Sequence, residues 1–216
     1  MAEVKGRQKR TEKARQTRRR VVRAAEEMFV ADGYGVTTLQ GIAQRAEVAV
    51  QTIYFTFGNK RALLKEVVDT AIAGDDEPVA TMDREWFRGA IAASTAHEHL
   101  WLHVEGTTAV LGRVARIVEM LRVATAVDPD VEGLWDTPGD PRYEVQRATA
   151  EALLGKPGIR PDLSAADVAD VLYGLLSPEL FLMFTREREW SAPRWQEWVY
   201  DTLVRQVCVD HAKAGE

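Results

Sequence analysis

The chain of 216 residues is 46% hydrophobic and 28% charged, with a formal net charge of −5, the balance of a water-facing globular protein and not of a disordered or fibrous one. No run approaches the roughly 20 continuous apolar residues that cross a bilayer, and the basic N-terminus lacks the apolar stretch that follows the charges in a secretory signal. The single cysteine, Cys208, excludes a disulfide framework within the chain, so a reducing, cytoplasmic setting is expected.

The charge is unevenly placed. Residues 1–65 hold 14 Lys and Arg against 6 Asp and Glu, whereas the remainder holds 14 against 27. Ten of the basic residues fall between Lys5 and Arg23. A basic head on an acidic body predicts a face for a polyanion. Residues 1–14 are expected to form a flexible basic arm.

From about Arg15 to Ala31, Val21, Ala25, Met28 and Phe29 recur at the spacing of one helical face. Asp32-Gly33 stops this helix, the glycine supplying a left-handed cap. Thr38 stands where an N-cap belongs, ahead of a second helix with Leu39, Ile42 and Ala43 on its inner face. After a break at Glu47-Val48 a third helix over 49–56 turns Ile53 and Phe57 inward and leaves Val50, Gln51, Thr52 and Phe55 more exposed. Two short helices joined by a tight turn and braced by a longer one predict a helix-turn-helix domain over 15–59, whose last helix enters a DNA major groove. There Gln51 can pair bidentately with adenine, Thr52 can bond several bases and Val50 can pack on a thymine methyl.

Residues 21–64 resemble the DNA-binding domain of the tetracycline-repressor (TetR/AcrR) family. The resemblance is carried by Phe29-x3-Gly33-Tyr34-x2-Thr37-Thr38-x3-Ile42-Ala43 and by Thr52-Ile53-Tyr54-x2-Phe57-x2-Lys60-x2-Leu63, in that order and spacing. It implies that Thr38 and Tyr54 bond phosphates and that Lys60 meets a phosphate by charge and by its place at a helix N-terminus. Val50, Gln51, Thr52 and Phe55 would face the bases, with Thr56 on the same surface. Ala25, Phe29, Ile42, Ala43, Ile53 and Phe57 would be core. Two positions depart from the family pattern. Glu47 stands where a turn glycine is usual, and Val50 where a lysine is common.

A connecting helix is expected over 60–74, ending at Gly74 before Asp75-Asp76-Glu77-Pro78, and residues 75–216 should form an effector-binding and dimerisation domain. The helical pattern continues at about 84–94, 97–112, 113–126, 131–154, 164–187 and 192–210, with prolines at 129, 138, 141, 157 and 161 in loops or at helix ends. The class is all-α, without alternating strand runs. Ser164 can cap a helix carrying Val168, Val171, Leu172, Leu175, Leu176, Leu180, Phe181 and Phe184, and Trp195, Trp198, Val199, Leu203 and Val207 recur helically in the last segment. Both are too apolar for one-sided surface helices. The resemblance implies that this pair builds a four-helix bundle with a second copy, the protein acting as a homodimer on a double-stranded operator. Trp101, His103, Thr107, Met120, Leu121, Trp135, Tyr143 and Phe181 are candidates to line a pocket for a small-molecule effector. No cofactor and no metal are expected.

Competing readings rest on narrower signals. His99 and His103, four apart on a helix, have a spacing that can chelate zinc, but Trp101 occupies the place of the second histidine in the HExxH protease motif, and no phosphate loop or nucleophile elbow accompanies them. Enzymatic turnover is therefore not expected. A sequence-tolerant architectural DNA binder would suit the basic arm but not the large acidic body. Repression and activation differ only in where the operator lies.

Overall fold

The computed structural model describes residues 2–75, 79–134 and 139–209, with side chains from residue 11 onward. Among these residues there are helices and loops and no strand, apart from one isolated bridge between Ile159 and Cys208. The chain forms two compact units: Met1–Asp76 with Arg116–Asp136, and Glu77–Ala115 with Thr137–Glu216. The division does not follow chain order, because residues 116–136 gather with the N-terminal helices.

In the first unit α1 (Ala2–Asp32) begins well ahead of the Arg15 expected. The residues expected as a flexible arm continue the helix, since Ala, Arg, Lys, Gln and Glu are its strongest formers and the Gln16 amide donates to Glu12 one turn back at 3.3 Å. Gly33, at φ 91°, ends the helix as expected. Thr38 caps α2 (Leu39–Arg45) by accepting from the Gly41 amide at 3.1 Å. α3 (Val50–Phe57) follows, and Asn59 caps α4 (Lys60–Ala73) by accepting from Ala62 N at 2.8 Å.

Val21, Ala25, Phe29, Ile42, Ala43, Ile53, Leu63 and Leu64 are buried together as the core of this unit. Phe57, read as core, is only half-buried, and the Arg18 guanidinium lies 4.9 Å over its ring. Arg18 also pairs with Glu66 at 2.6 Å, tying α1 to α4, while Arg45 pairs with Glu27 at 2.7 Å, tying α2 to α1.

The turn between α2 and α3 is made in the left-handed region by a glutamate. Glu47 has φ 53°. Its amide donates to Gln44 O at 3.2 Å and that of Val48 to Ala43 O at 3.0 Å, the paired bonds of a Schellman ending. The geometry is the one glycine would have served, reached at the cost of a Cβ crowding its own backbone.

The second unit holds α5 (Glu85–Ala92), residues 96–115 of α6, α7 (Pro141–Leu154), α8 (Ala165–Leu175), α9 (Pro178–Leu182), a π-helical turn (Met183–Glu187) and α10 (Ala192–Val207). α6 is one helix, Ala96–Val127, in place of the two expected at 97–112 and 113–126. Gly112 does not break it. A lone glycine costs a helix about 1 kcal/mol, and its neighbours Leu111, Val114 and Ala115 are buried. The helix expected over 131–154 divides into a 3₁₀ segment (Pro129–Leu134) and α7, whose N-cap Asp140 accepts from Arg142 N at 2.9 Å. Trp135 and Pro138 lie outside the described residues, as do residues 76–78 of the acidic linker.

The long apolar segment 164–187 also breaks. Ser177 accepts from Leu180 N at 3.2 Å and starts a new helix at Pro178, which has no amide to continue the old one. Residues 165–187 have the length and hydropathy of a membrane span. The helix nevertheless breaks at Ser177-Pro178, and Val168, Ala169, Leu172, Leu176 and Phe181 are buried in this unit. Trp195, Val199, Leu203 and Val207 form the matching buried stripe of α10. Cys208 closes α10, its amide donating to Val204 O at 2.9 Å. Burial pushes its thiol up to about 11.

Replacing the strained residue tests the turn. Glu47→Gly is expected to raise stability by about 0.5–1 kcal/mol, the left-handed penalty less the added freedom of the unfolded glycine. Denaturant midpoints measure it, and an unchanged or lower midpoint would show that the glutamate side chain offsets its own backbone.

Candidate nucleic-acid interface

The outward face of α3 is polar and aromatic at once. Ile53 is fully buried, which fixes the helix's rotation and turns Gln51, Tyr54 and Phe55 to the solvent. Phe55 is 94% exposed and Tyr54 50% exposed. Thr56 is exposed as well, and Val50 and Thr52 are half-buried at the edges of the face. An aromatic ring held almost wholly in water gains nothing from folding. Its place next to Gln51 suits a surface that is covered on binding.

Thr38 is exposed at the start of α2, its hydroxyl oxygen engaged by the Gly41 amide and its proton free to donate outward. Ala49, the N-cap of α3, offers no side chain to that helix's first amides; the Thr52 amide donates to Ala49 O at 2.9 Å, which leaves those of Val50 and Gln51 to face an anion. Lys60 is half-buried. Its ammonium sits 4.2 Å over the Tyr34 ring and donates to Gly35 O at 3.4 Å, and burial lowers its pKa. Glu27 lies between Arg23 and Arg45, and its hydrogen bond from Arg45 holds its carboxyl below the usual range. Together with Arg20 these residues line an open groove of about 220 Å³ beside the Glu47 turn.

A second constellation braces this interface from the first unit's own interior. The Arg61 guanidinium grips Asp128 with two bonds, Nε to Oδ2 at 2.9 Å and Nη2 to Oδ1 at 2.8 Å, and reaches Asp130 at 2.7 Å. Tyr34 donates its hydroxyl to the same Asp128 at 3.2 Å. Arg61 holds the Asp128 carboxyl below its ordinary range, while burial and the neighbouring carboxylate raise Tyr34 to about 12. The start of α4, the loop before α2 and the end of α6 are thereby joined at one carboxylate. Sequence reading missed it. Nothing local in Asp128-Pro129 announces partners 67 and 94 residues away.

In the second unit the candidate pocket residues do not form one group. His103 is fully buried, its Nε2–H donating to Gln146 Oε1 at 2.9 Å. The Thr149 hydroxyl divides its proton between Val145 O at 3.0 Å and His103 Nδ1 at 3.4 Å. Thr107 is buried on the same helix. Trp101 is partly exposed, edge-on to Tyr200 at 5.2 Å. Tyr143 bonds Asp170 at 3.0 Å, and Phe181 packs edge-on to Trp195 at 4.9 Å. Met120 and Leu121 belong to the first unit, and Trp135 lies outside the described residues. His99, one turn before His103, is fully buried too. Among the described residues no three His, Cys, Asp or Glu converge as a metal site.

Helices α1, α2 and α3 of the first unit have the arrangement of a helix-turn-helix. Residues 21–67 match the bacterial regulatory proteins of the tetR family. The HTH-type transcriptional regulator TcmR of Streptomyces glaucescens is 36% identical over 106 residues, 49% of this chain and 42% of TcmR, so the chain matches less than half the length of that curated relative. A putative TetR-family regulator from Mesorhizobium loti superposes with TM-score 0.66 at 18% identity, covering 91% of this chain and 98% of the other. A regulator from Saccharomonospora viridis solved with choline gives TM-score 0.67 at 18% identity, covering 90% and 99%. FadR of Bacillus subtilis, solved with stearoyl-CoA, gives 0.65 at 17%, covering 86% and 96%. The family match thus covers the helix-turn-helix segment, residues 21–67, and the solved structures share the fold of the chain as a whole.

The buried histidines make stability depend on pH. Burial lowers His103 from 6.5 to about 4, against the smaller opposing effect of its Gln146 bond. The unfolded chain therefore takes up a proton that the folded chain refuses between those values. Stability is full above pH 6.5 and falls as the pH drops toward 4, by about 2 kcal/mol at pH 5 from this residue alone. Thermal unfolding of the wild type and of His103→Gln between pH 7 and 5 measures it. The variant should show a flatter curve, and parallel curves would mean that His103 titrates in the fold as it does in the unfolded chain.

Proposed function

We propose that this protein is a dimeric transcriptional repressor that reads a two-fold DNA operator through α3 and releases it when a small molecule occupies the second unit. The observation that carries the reading is the outward face of α3, where Gln51 and Thr56 are exposed beside Tyr54, half in water, and the 94% exposed Phe55. Tyr54, Thr38 and Lys60 supply phosphate contacts, which position the helix, while Gln51, Thr52, Val50 and Phe55 meet base edges, which select the sequence. The excess of basic residues along α1 adds salt-dependent affinity for the backbone.

Dimerisation is supported by α8 and α10. Beyond their buried stripes they leave Val171, Leu175, Trp198 and Val204 half-covered, and a palindromic operator needs two reading heads about 34 Å apart. The effector arm is supported by the relatives of the same fold solved with choline and with stearoyl-CoA. α6 contributes residues to both units and ends at the carboxylate that Arg61 and Tyr34 share, so a shift of this helix must be felt by α4 and by the loop before α2. An effector weakens DNA binding only by the difference between its affinities for the two arrangements.

Binding to DNA upstream of the protein's own gene, compared with scrambled DNA across a salt series, tests the reading. Gln51→Ala is expected to lose about 1–3 kcal/mol at particular base pairs, whereas Tyr54→Ala weakens all sequences alike. Should Gln51→Ala leave the preferred site unchanged, α3 does not read DNA in this orientation. Equal, salt-fragile binding to both DNAs would favour a sequence-tolerant architectural role.

A further inference from the structure

One buried side chain of the second unit has no hydrogen-bond partner for either end among the described residues. His99 is fully buried, and both its Nδ1 and its Nε2 are unpartnered. A neutral imidazole carries one donor and one acceptor. Leaving both unmet in a low-dielectric interior opposes folding, and such groups are rare in native cores. Its neighbour on the same face shows the contrast. His103, with ring centroids 6.4 Å away, is held by Gln146 and approached by Thr149. Among the described residues nothing does the same for His99.

The surroundings define what fits. The rings of Trp86 and Phe87 on α5 stand 6.0 Å and 6.2 Å from His103. Trp86 lies so close over Gly106 that a Cβ there would meet its ring at 2.1 Å, so a missing side chain on α6 seats the indole. The nearby ammonium of Lys156 is committed to the carbonyls of Ile91 at 2.8 Å and Ala93 at 2.5 Å, where α5 ends. It is not held in reserve for an anion. Burial also keeps His99 uncharged, at about 3.

We propose that His99 is the polar anchor of the effector site, binding the hydroxyl of a neutral aromatic ligand between α5, α6 and α7. A hydroxyl matches a neutral imidazole because each is both donor and acceptor, and the aromatic neighbours favour a ring over an aliphatic chain. A carboxylate or phosphate would enter without a counter-charge. A divalent metal would find two imidazoles but no third ligand among the described residues. The proposal rests on the effector reading above but is tested apart from DNA, so that loss of this site and failure of release are separate results.

The experiment uses the full chain with 15N-labelled histidine and phenol as the probe, the smallest molecule with both a ring and a hydroxyl. Toluene and benzoate are the controls. The chain has four histidines, so their ring nitrogens are resolved by long-range 1H–15N spectra. Phenol should shift the His99 nitrogens and bind about tenfold more tightly than toluene or benzoate, the factor that one buried neutral hydrogen bond supports. His99→Leu should reduce phenol to the toluene level, and His99→Gln, which keeps a donor and an acceptor, should restore most of the difference. Phenol failing to bind in the millimolar range overturns the proposal, as does equal binding of phenol and toluene to the wild type. So does an undiminished phenol affinity in folded His99→Leu, which would leave His99 to an internal water. Should that variant not fold, the wild-type comparison and His99→Gln decide alone.

Discussion

The bidentate grip of Arg61 on Asp128 is the contact on which the geometry of the first unit turns. A guanidinium and a carboxylate meet in one plane with two bonds, which fixes direction as well as distance. Here that direction joins the first turn of α4 to the end of α6, with Tyr34 added from the loop that precedes α2. Asp128 is a helix-ending residue whose amide still bonds Ala124 O at 2.8 Å, so the carboxylate is itself placed by α6. Much of what positions α2 and α3 then follows from ordinary core packing under Phe29, Ile42 and Ile53.

Much of this fold could be read from the chain because its signals are local. Gly33 and Gly74 mark left-handed helix ends, Thr38 and Ser164 are caps, and the period of Leu39, Ile42 and Ala43 shows one face. The exposed set on α3 follows from Ile53 being inside. What could not be read was non-local. Asp128 pairs with residues far earlier in the chain, and the gathering of 116–136 with the N-terminal helices depends on tertiary contacts. The break expected between 112 and 113 does not occur, because the weak helix propensity of Gly112 counts for little beside the burial of Leu111, Val114 and Ala115. Residues 164–187 misled for the opposite reason, an apolar period that runs unbroken across a proline which ends one helix and begins another.

The histidines show a middle case. Their i, i+4 spacing places His99 and His103 on one face, and the sequence signal for a polar spot inside an apolar unit was present. Only His103 stood among the candidate pocket residues, although helical geometry gives its partner an equal claim. Their different satisfaction depends on where Gln146 and Thr149 of α7 come to rest. Glu47 is another such case. Its identity departs from the family pattern, and its backbone nonetheless keeps the left-handed turn, since the hydrogen bonds of the ending outweigh the strain of one residue.

Cys208 has a consequence for the chemical signals this chain can sense. The only thiol in the sequence is buried at the end of α10, bridged to Ile159, and burial disfavours its thiolate. Thiolates, not thiols, react with peroxides, electrophiles and disulfides. Within this chain the cysteine route to oxidant or electrophile sensing is therefore closed while the protein is folded. A cysteine introduced on the surface would meet an alkylating dye essentially alone, and the wild-type thiol would report unfolding by becoming reactive only when α10 comes apart.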